Sequence, residues 1–184
     1  MDKVKIFGFG GSLRKGSLNF ALLQQASQCC PENATYELFN KFGDFPQFNA
    51  DMEKDLPLIA KEFKAKIKAA DAILIAVPEY NFSIPGYLKN AIDWASRPYG
   101  DNSFDDKPVA IMSASGALGG SRAQYHLRQT FVFLNMHPIN RPECIVTNAA
   151  EKIKEGKVVD EHTIEKISEL MEALVIWTKR LKQK

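Results

Sequence analysis

The sequence predicts an α/β fold in which a parallel sheet of about five strands carries helices on both faces. Short apolar runs alternate with longer segments of helical periodicity along the 184 residues. The run at 71–77 is almost continuously apolar, as expected for a strand that is covered on both faces. The length fits one domain over residues 1–184.

In the first half of the chain, the apolar periodicity predicts the following elements: strand 4–9, helix 20–29, strand 35–39, helix 59–70 and strand 71–77. The lysines of helix 59–70 are expected on its outer face. Between the second strand and this helix, residues 40–58 are rich in Phe, Pro, Asp and Asn. We expect this segment to be a long surface connection, and long connections often serve a site.

The second half continues the alternation. Its predicted elements are a helix that starts at Pro85 and ends before 97–98, strand 109–112, a helix from Ser121 to about 136, strand 144–146 and a long last helix. Ser121 is the expected cap of its helix. The segment 116–120 before it is glycine-rich and is expected to be a flexible turn.

The turn between the first strand and the first helix carries donors for an anion. Residues 10–19 read GGSLRKGSLN and combine glycines with two hydroxyls, a guanidinium and an amide at a helix N-terminus. Leu13 stands where a dinucleotide fingerprint needs its third glycine, and the Lys-Ser/Thr of a Walker A loop is absent. The loop therefore favours a terminal phosphate monoester. An ordinary capped turn, which needs only one polar side chain, is the alternative.

Composition excludes several classes of function. The net charge of +2 and the scattered basic residues give no nucleic-acid signal, and no apolar stretch is long enough for a membrane span. The N-terminus reaches glycines too early for a signal peptide. Three cysteines make a poor disulfide framework and no metal-ligand spacing is present, so a reducing cytoplasm is expected. The three histidines are interpreted as structural or surface residues.

Three loops follow predicted strand ends, at 10–19, 78–83 and 113–120. In an open parallel sheet, ligands bind beyond the carboxyl ends of the strands, so these loops are expected to meet at one rim. The second loop carries two aromatic residues that suit a planar ligand, and the third is made of small residues that let backbone approach a ring. A phosphate at one end and a planar ring at the other describe a mononucleotide-like cofactor, and flavin mononucleotide (FMN) fits well.

Three motifs carry a resemblance to a known family. GSLRKGSLN at 11–19, PEYNFSIPG at 78–86 and LKNAIDW at 88–94 resemble the NAD(P)H-dependent FMN reductases, which include soluble quinone, azo-dye and chromate reductases. The resemblance extends from Val4 into the last helix. It implies a flavodoxin-like fold, FMN as cofactor, NADPH or NADH as co-substrate, and a small-molecule electron acceptor such as a quinone, an azo compound, free flavin or chromate.

The resemblance also assigns site residues. The phosphate end would be held by Ser12, Arg14, Ser17 and Asn19, with Leu18 beside them, and the ring would be lined by Pro78, Glu79, Tyr80, Asn81, Phe82, Ser115 and Gly116. Phe82 stands where the family leads us to expect Tyr, so any hydrogen bond made by that hydroxyl is lost. Glu79 is expected to orient rather than to donate a proton. The backbone amides of 115–117 are expected to face the ring edge that gains negative charge. No residue is assigned as catalytic and none as a metal ligand.

Two further hypotheses concern partners and rival functions. A homodimer or homotetramer could form through two apolar helices, with buried core as the alternative for their residues: Leu88, Ile92, Trp94, Tyr125, Leu127, Phe131 and Phe133. A flavodoxin-type electron carrier would share the fold and cofactor, but such carriers are usually strongly acidic. A phosphatase would want a nucleophile in the first loop, which offers only serines.

Overall fold

The computed structural model describes residues 3–10 and 12–183, so Gly11 of the predicted phosphate loop lies outside the described residues. Its main sheet consists of β1 (Val4–Gly10), β2 (Ala34–Phe39), β3 (Ala72–Ala76), β4 (Pro108–Ala114), β5 (His137–Pro138) and β6 (Cys144–Val146). The strands are parallel in the order β2-β1-β3-β4-β5, and β6 also pairs with β4. The order 2-1-3-4-5 is that of flavodoxin-like sheets, so the predicted fold class is confirmed.

Helices cover both faces of the sheet. They are α1 (Leu18–Gln28), α2 (Leu58–Ala69), α3 (Gly86–Ala95), α4 (Ser121–Leu134), the single turn α5 (Ala149–Lys152) and α6 (Glu161–Lys182). One buried apolar cluster joins α1 and α6 to the sheet, and a second joins α2, α3 and α4 to it. β3 is buried along its whole length, as its apolar run predicts. A short hairpin of β7 (Ile153–Lys154) and β8 (Lys157–Val158) precedes α6, and the sequence pattern predicts neither this hairpin nor α5.

The fifth position of the sheet is divided between two short strands. β5 pairs with the start of β4, and β6 pairs with its end, so residues 139–143 interrupt the edge. Pro138 and Pro142 lack the N–H groups that a continuous ladder would need. Only the second piece is recognisable from the apolar pattern, because β5 is two residues long.

The 40–58 segment runs over the surface as expected, and it is anchored to the core at a few points. It contains two 3₁₀ turns, Phe42–Asp44 and Ala50–Met52, and the Phe42 side chain is buried. The Pro46 carbonyl accepts hydrogen bonds from the side chains of Asn90 and Trp94 on α3, both at 2.9 Å. Phe42 and Phe45 pack against the apolar cluster on this face of the sheet, and Phe48 packs edge-on against Trp94. The segment contributes no residue to the main cleft described below.

Lys64 does not lie on an outer face, although the periodicity of α2 places its lysines there. Its side chain is buried, and its ammonium donates to the carbonyls of Ala95 at 3.1 Å, Arg97 at 2.5 Å and Asp101 at 2.8 Å. Burial lowers the pKa of Lys64, and the nearby Asp101 carboxylate partly offsets this shift. The last carbonyls of a helix have no N–H partner within the helix. At the end of α3, the ammonium of Lys64 from α2 supplies such a donor.

Most of the residues assigned to a helix interface belong to the core. Leu88, Ile92, Trp94, Leu127 and Phe131 are fully buried within the chain, so the competing core interpretation is correct for them. Within residues 3–10 and 12–183, no helix has the length and apolar character needed to cross a membrane.

Candidate functional site

A cleft of about 570 Å³ opens at the carboxyl ends of β1, β3, β4 and β6. All the sequence-predicted site residues except Asn81 and Phe82 line it: Ser12, Arg14, Ser17, Leu18, Asn19, Pro78, Glu79, Tyr80, Ser115 and Gly116. The three predicted loops therefore meet at one rim. The volume lies within the range of small-molecule sites.

The first loop presents the start of α1 to the cleft. Ser17 is the N-cap residue, and its hydroxyl oxygen accepts the backbone N–H of Phe20 at 3.1 Å. The first turn of α1 has no acidic residue, so the positive end of its dipole is not neutralised by its own side chains. Arg14 is exposed and donates to the Gly16 carbonyl at 3.3 Å, and among the described residues it has no carboxylate partner. A cation beside a helix N-terminus suits an anion.

Asn19 ties α1 to the end of β4. Its buried side chain donates to the Ala114 carbonyl at 2.9 Å and accepts the Ala114 N–H at 3.0 Å. The side-chain amide expected at the phosphate end thus forms hydrogen bonds with the backbone of Ala114. Asn19 also lines the cleft, and its two hydrogen bonds fix the spacing between the first and third loops.

The second loop contains a tight two-residue turn. Tyr80 and Ser83 exchange backbone hydrogen bonds of 3.0 and 2.9 Å, while Asn81 and Phe82 adopt positive φ angles of 50° and 62°. Asn tolerates this conformation, but for Phe it is strained. Phe82 is 63% exposed, with the Arg122 guanidinium 3.8 Å above its ring centroid. Asn81 and Phe82 lie on this turn and are not among the residues that line the cleft.

Glu79 fastens the second loop to the start of α4. Its carboxylate accepts the backbone N–H groups of Arg122 at 3.1 Å and Ala123 at 3.4 Å, and the Arg122 guanidinium lies 3.4 Å from it. The Glu79 side chain is only 12% exposed. These contacts are how Glu79 could perform the orienting role expected of it, by holding the second loop against α4. It also corrects the expected cap, because Ser121 is the first helical residue and the N-cap is Gly120, which has no side chain to offer.

The third loop packs closely at one end and is open at the other. Gly119 and Gly120 have positive φ angles of 59° and 87°, and a Cβ at Gly119 would lie 2.6 Å from the Ile145 side chain. A Cβ at Gly116 would meet no described atom within 4 Å beyond its chain neighbours. The Ser115 N–H already donates to the Val146 carbonyl at 3.2 Å, so the expected donors for a ring edge reduce to the amides of 116 and 117.

A fourth segment joins the cleft and is missed by the sequence argument. Asn148, Ala149, Ala150 and Glu151 line it together with Ala114. The Asn148 N–H donates to the Gly116 carbonyl and the Ala149 N–H to the Ser115 carbonyl, both at 2.9 Å. The signal was available: these residues follow the predicted strand 144–146, and the rule that ligands bind at strand ends applies to that strand as well.

The residues present fit FMN. The first loop brings hydroxyls, a guanidinium and helix amides to the cleft, which suits a phosphate carrying two negative charges. The second and third loops bring Pro78, Tyr80 and the small residues Ser115 and Gly116, which suit a flat ring that needs close backbone and an aromatic edge. Among the described residues, no group of His, Cys, Asp and Glu could hold a metal ion.

Comparison with known proteins supports the same interpretation. The family model described as NADPH-dependent FMN reductase matches residues 4–151. This chain belongs to the NADPH-dependent FMN reductase family. An NAD(P)H-dependent FMN reductase of Pseudomonas aeruginosa is 45% identical over 184 residues, with 98% of each chain covered. An NAD(P)H:quinone oxidoreductase of Solanum tuberosum is 43% identical, with 98% of this chain and 96% of that protein covered.

A solved structure agrees in fold. The flavoenzyme NAD(P)H:(acceptor) oxidoreductase FerB from Paracoccus denitrificans superposes with a TM-score of 0.87 at 35% identity, covering 96% of this chain and 98% of that one. Membership of the family confirms the resemblance, and with it an FMN-dependent oxidoreductase that uses NAD(P)H.

Proposed function

We propose that this FMN reductase passes electrons from NAD(P)H to small quinones, and that the cleft at the strand ends is where FMN is held. The observation that carries the proposal is the convergence of an anion-binding helix N-terminus and a loop of small residues on one cleft of mononucleotide size. Quinones are the favoured acceptors because relatives at 35–43% identity are named quinone reductases or quinone oxidoreductases. Azo compounds, free flavin and chromate are further acceptors to be tested.

At the phosphate end, the roles follow from the hydrogen bonds already in place. Arg14 supplies positive charge, since its guanidinium is exposed and has no carboxylate partner within the described residues. Ser12 and Ser17 supply hydroxyls, and the Ser17 hydroxyl can still donate because its oxygen is the atom that caps α1. Asn19 positions this loop against β4 rather than contacting the phosphate.

At the ring end, backbone and small residues do most of the holding. Pro78 and Tyr80 of the second loop and Ser115 and Gly116 of the third loop line the cleft. Glu79 keeps the second loop in register with α4 through the two amides it accepts. Bound FMN supplies the redox chemistry, so the protein has to orient the ring and leave one face open to the two substrates in turn. This division of labour accounts for the lack of an assigned acid, base or nucleophile.

We also propose a homodimer or a homotetramer, built through the outer face of α4. Tyr125, Val132 and Phe133 are 63%, 84% and 70% exposed and share one helix. Exposed large apolar residues on one face are typical of an interaction surface. Light scattering should give a multiple of 20.6 kDa, and Phe133→Lys should lower that mass. A monomeric mass with full activity would refute this part of the proposal. A reducing cytoplasm remains the proposed location, since all three cysteines are free.

The proposed reaction is tested with the protein alone. The purified enzyme, loaded with FMN, should oxidise NADPH or NADH continuously when a benzoquinone is added. A flavodoxin-type carrier would hold FMN but would need a separate reductase to consume NAD(P)H. Absence of turnover with both donors, in protein that carries FMN, would favour the carrier.

A further inference from the structure

The hydroxyl of Tyr87 is buried and, among the described residues, has no hydrogen-bond partner. Tyr87 is the second residue of α3, directly after the second loop of the cleft. Burial raises the pKa of Tyr87, and the Ser12 hydroxyl and the Leu13 backbone lie close enough to offset part of that shift. Neither group meets the geometry of a hydrogen bond with the phenol. A buried hydroxyl left without a partner in this way needs an explanation.

The neighbours of this hydroxyl point to the cofactor loop. Ser12 lines the cleft at its proposed phosphate end, and Tyr80 lines it at the second loop. Repulsion from the Tyr80 phenol, like burial, raises the pKa of Tyr87. The Tyr87 ring packs against the apolar cluster on the α3 face of the sheet, and its hydroxyl is buried. The phenol itself does not line the cleft.

We propose that Tyr87 is a positioning residue for FMN, and that it acts through Ser12. In the FMN-bound enzyme the Leu13 N–H donates to the Tyr87 oxygen, and the Tyr87 hydroxyl donates to the Ser12 oxygen. Ser12 is then left to donate its own hydrogen to the phosphate. Chains of hydrogen bonds strengthen one another in a desolvated site, so the phenol raises the value of the Ser12 donor. The inference rests on the proposed placement of the FMN phosphate at the first loop.

The proposed hydrogen bonds predict that Tyr87→Phe has opposite effects on the apoprotein and on the FMN-bound enzyme. Without FMN the hydroxyl is a burden, so Tyr87→Phe should leave the melting temperature of the apoprotein unchanged or raise it. With FMN the hydroxyl completes a network, so the same substitution should raise the Kd for FMN about five- to tenfold, the loss expected for one neutral hydrogen bond. A purely structural tyrosine would not separate these two readouts.

The chain offers a matched control. Tyr36 on β2 also has a buried hydroxyl without a hydrogen-bond partner among the described residues, and it lies against Gly8 rather than against the cleft. Burial raises the pKa of Tyr36 as well. Tyr36→Phe should therefore affect the apoprotein in the same direction as Tyr87→Phe and leave the FMN affinity unchanged.

The experiment titrates apoprotein with FMN and with riboflavin, which lacks the phosphate, and follows quenching of flavin fluorescence. Wild type, Tyr87→Phe, Tyr36→Phe, Ser12→Ala and the Tyr87/Ser12 double variant are compared, with melting temperatures of each apoprotein. We expect Tyr87→Phe to weaken FMN and spare riboflavin, and to have little further effect once Ser12 is Ala.

The inference is overturned if Tyr87→Phe binds FMN as wild type does, if riboflavin is weakened equally, or if the two substitutions are additive. It is also overturned if Tyr36→Phe weakens FMN to the same extent. Failure of the wild-type apoprotein to bind FMN at all is a different result, because it refutes the proposed cofactor site itself.

Discussion

Replacing Glu79 by Ala should destabilise this enzyme more than any loss of its surface ion pair can explain. The carboxylate accepts two amide N–H groups of the first turn of α4, at 3.1 and 3.4 Å, from a side chain that is 12% exposed. The substitution leaves both donors without this acceptor, and Gly120 at the N-cap position offers no side chain to replace it. The cap of α4 therefore depends on a residue from another loop.

The magnitude follows from the kinds of bond involved. A lost N-cap costs about 1–2 kcal/mol, and a hydrogen bond to a charged group contributes about 1.5–3 kcal/mol. We expect Glu79→Ala to lower the free energy of unfolding by about 2–3 kcal/mol, which is roughly 4–12 °C in melting temperature for a chain of this size. Arg122→Ala keeps both backbone bonds and removes a partly exposed ion pair and a cation–π contact, so it should cost about 1 kcal/mol.

Urea unfolding of the apoproteins, followed by circular dichroism, measures the free energy of unfolding of Glu79→Ala, Glu79→Gln and Arg122→Ala relative to wild type. Glu79→Gln is the intermediate case, because it keeps an oxygen acceptor but loses the charge. If the Glu79 carboxylate caps α4, the variants should rank Glu79→Ala, Glu79→Gln and Arg122→Ala from most to least destabilised. If Arg122→Ala costs as much as Glu79→Ala, the ion pair dominates and the argument is refuted.

Three other substitutions test separate parts of the cleft and fold. Asn19→Ala removes the two bonds to the Ala114 backbone and should lower the free energy of unfolding by about 2–3 kcal/mol in urea unfolding, because buried backbone groups lose their partners. Gly119→Ala should cost about 1–3 kcal/mol by the same measurement, since its φ is 59° and its Cβ would lie 2.6 Å from a side-chain carbon of β6. The Lys68 hydrogen bond lowers the pKa of Asp101, so the contribution of this carboxylate is complete above pH 3.8 and is lost as the pH falls through the folded-state pKa. Asp101→Asn should flatten the acid side of a plot of unfolding free energy against pH.

Gly119→Ala has a control variant within the chain, and each of the other two substitutions has a result that would contradict its prediction. Gly116→Ala should leave the unfolding free energy nearly unchanged, because no described atom beyond its chain neighbours lies within 4 Å of the added Cβ. An Asn19→Ala variant as stable as wild type would mean that the tie to β4 is not needed. An acid limb that is as steep in Asp101→Asn as in wild type would show that other carboxylates control it.

Local patterns predict most of the scaffold. The strand and helix bounds derived from apolar periodicity agree with β1 to β4 and α1 to α4 to within about two residues. The three predicted loops do meet, because the parallel order of the strands places their carboxyl ends at one edge. The features that local patterns do not predict are those that depend on contacts between residues distant in sequence. Lys64 is buried because of carbonyls 31–37 residues away, and α4 is capped by a carboxylate 43 residues before it.

The candidate site shows the same division. The donors of the first loop are visible as a string of residue types, whereas the capture of the Asn19 amide by Ala114, 95 residues away, is not. Residues 148–151 are missed because one rule was applied to three strand ends and not to the fourth. Asn81 and Phe82 lie in a motif that resembles the family and do not line the cleft, and their left-handed turn is not predicted by any local pattern.

A visible spectrum of the purified protein tests the central claim most directly, recorded before and after anaerobic addition of NADPH and then NADH. The purified protein should show the visible absorption of a bound oxidised flavin, which bleaches on addition of either donor and returns when a quinone is added. A colourless protein that takes up no added FMN, or a bound flavin that neither donor bleaches, would contradict it.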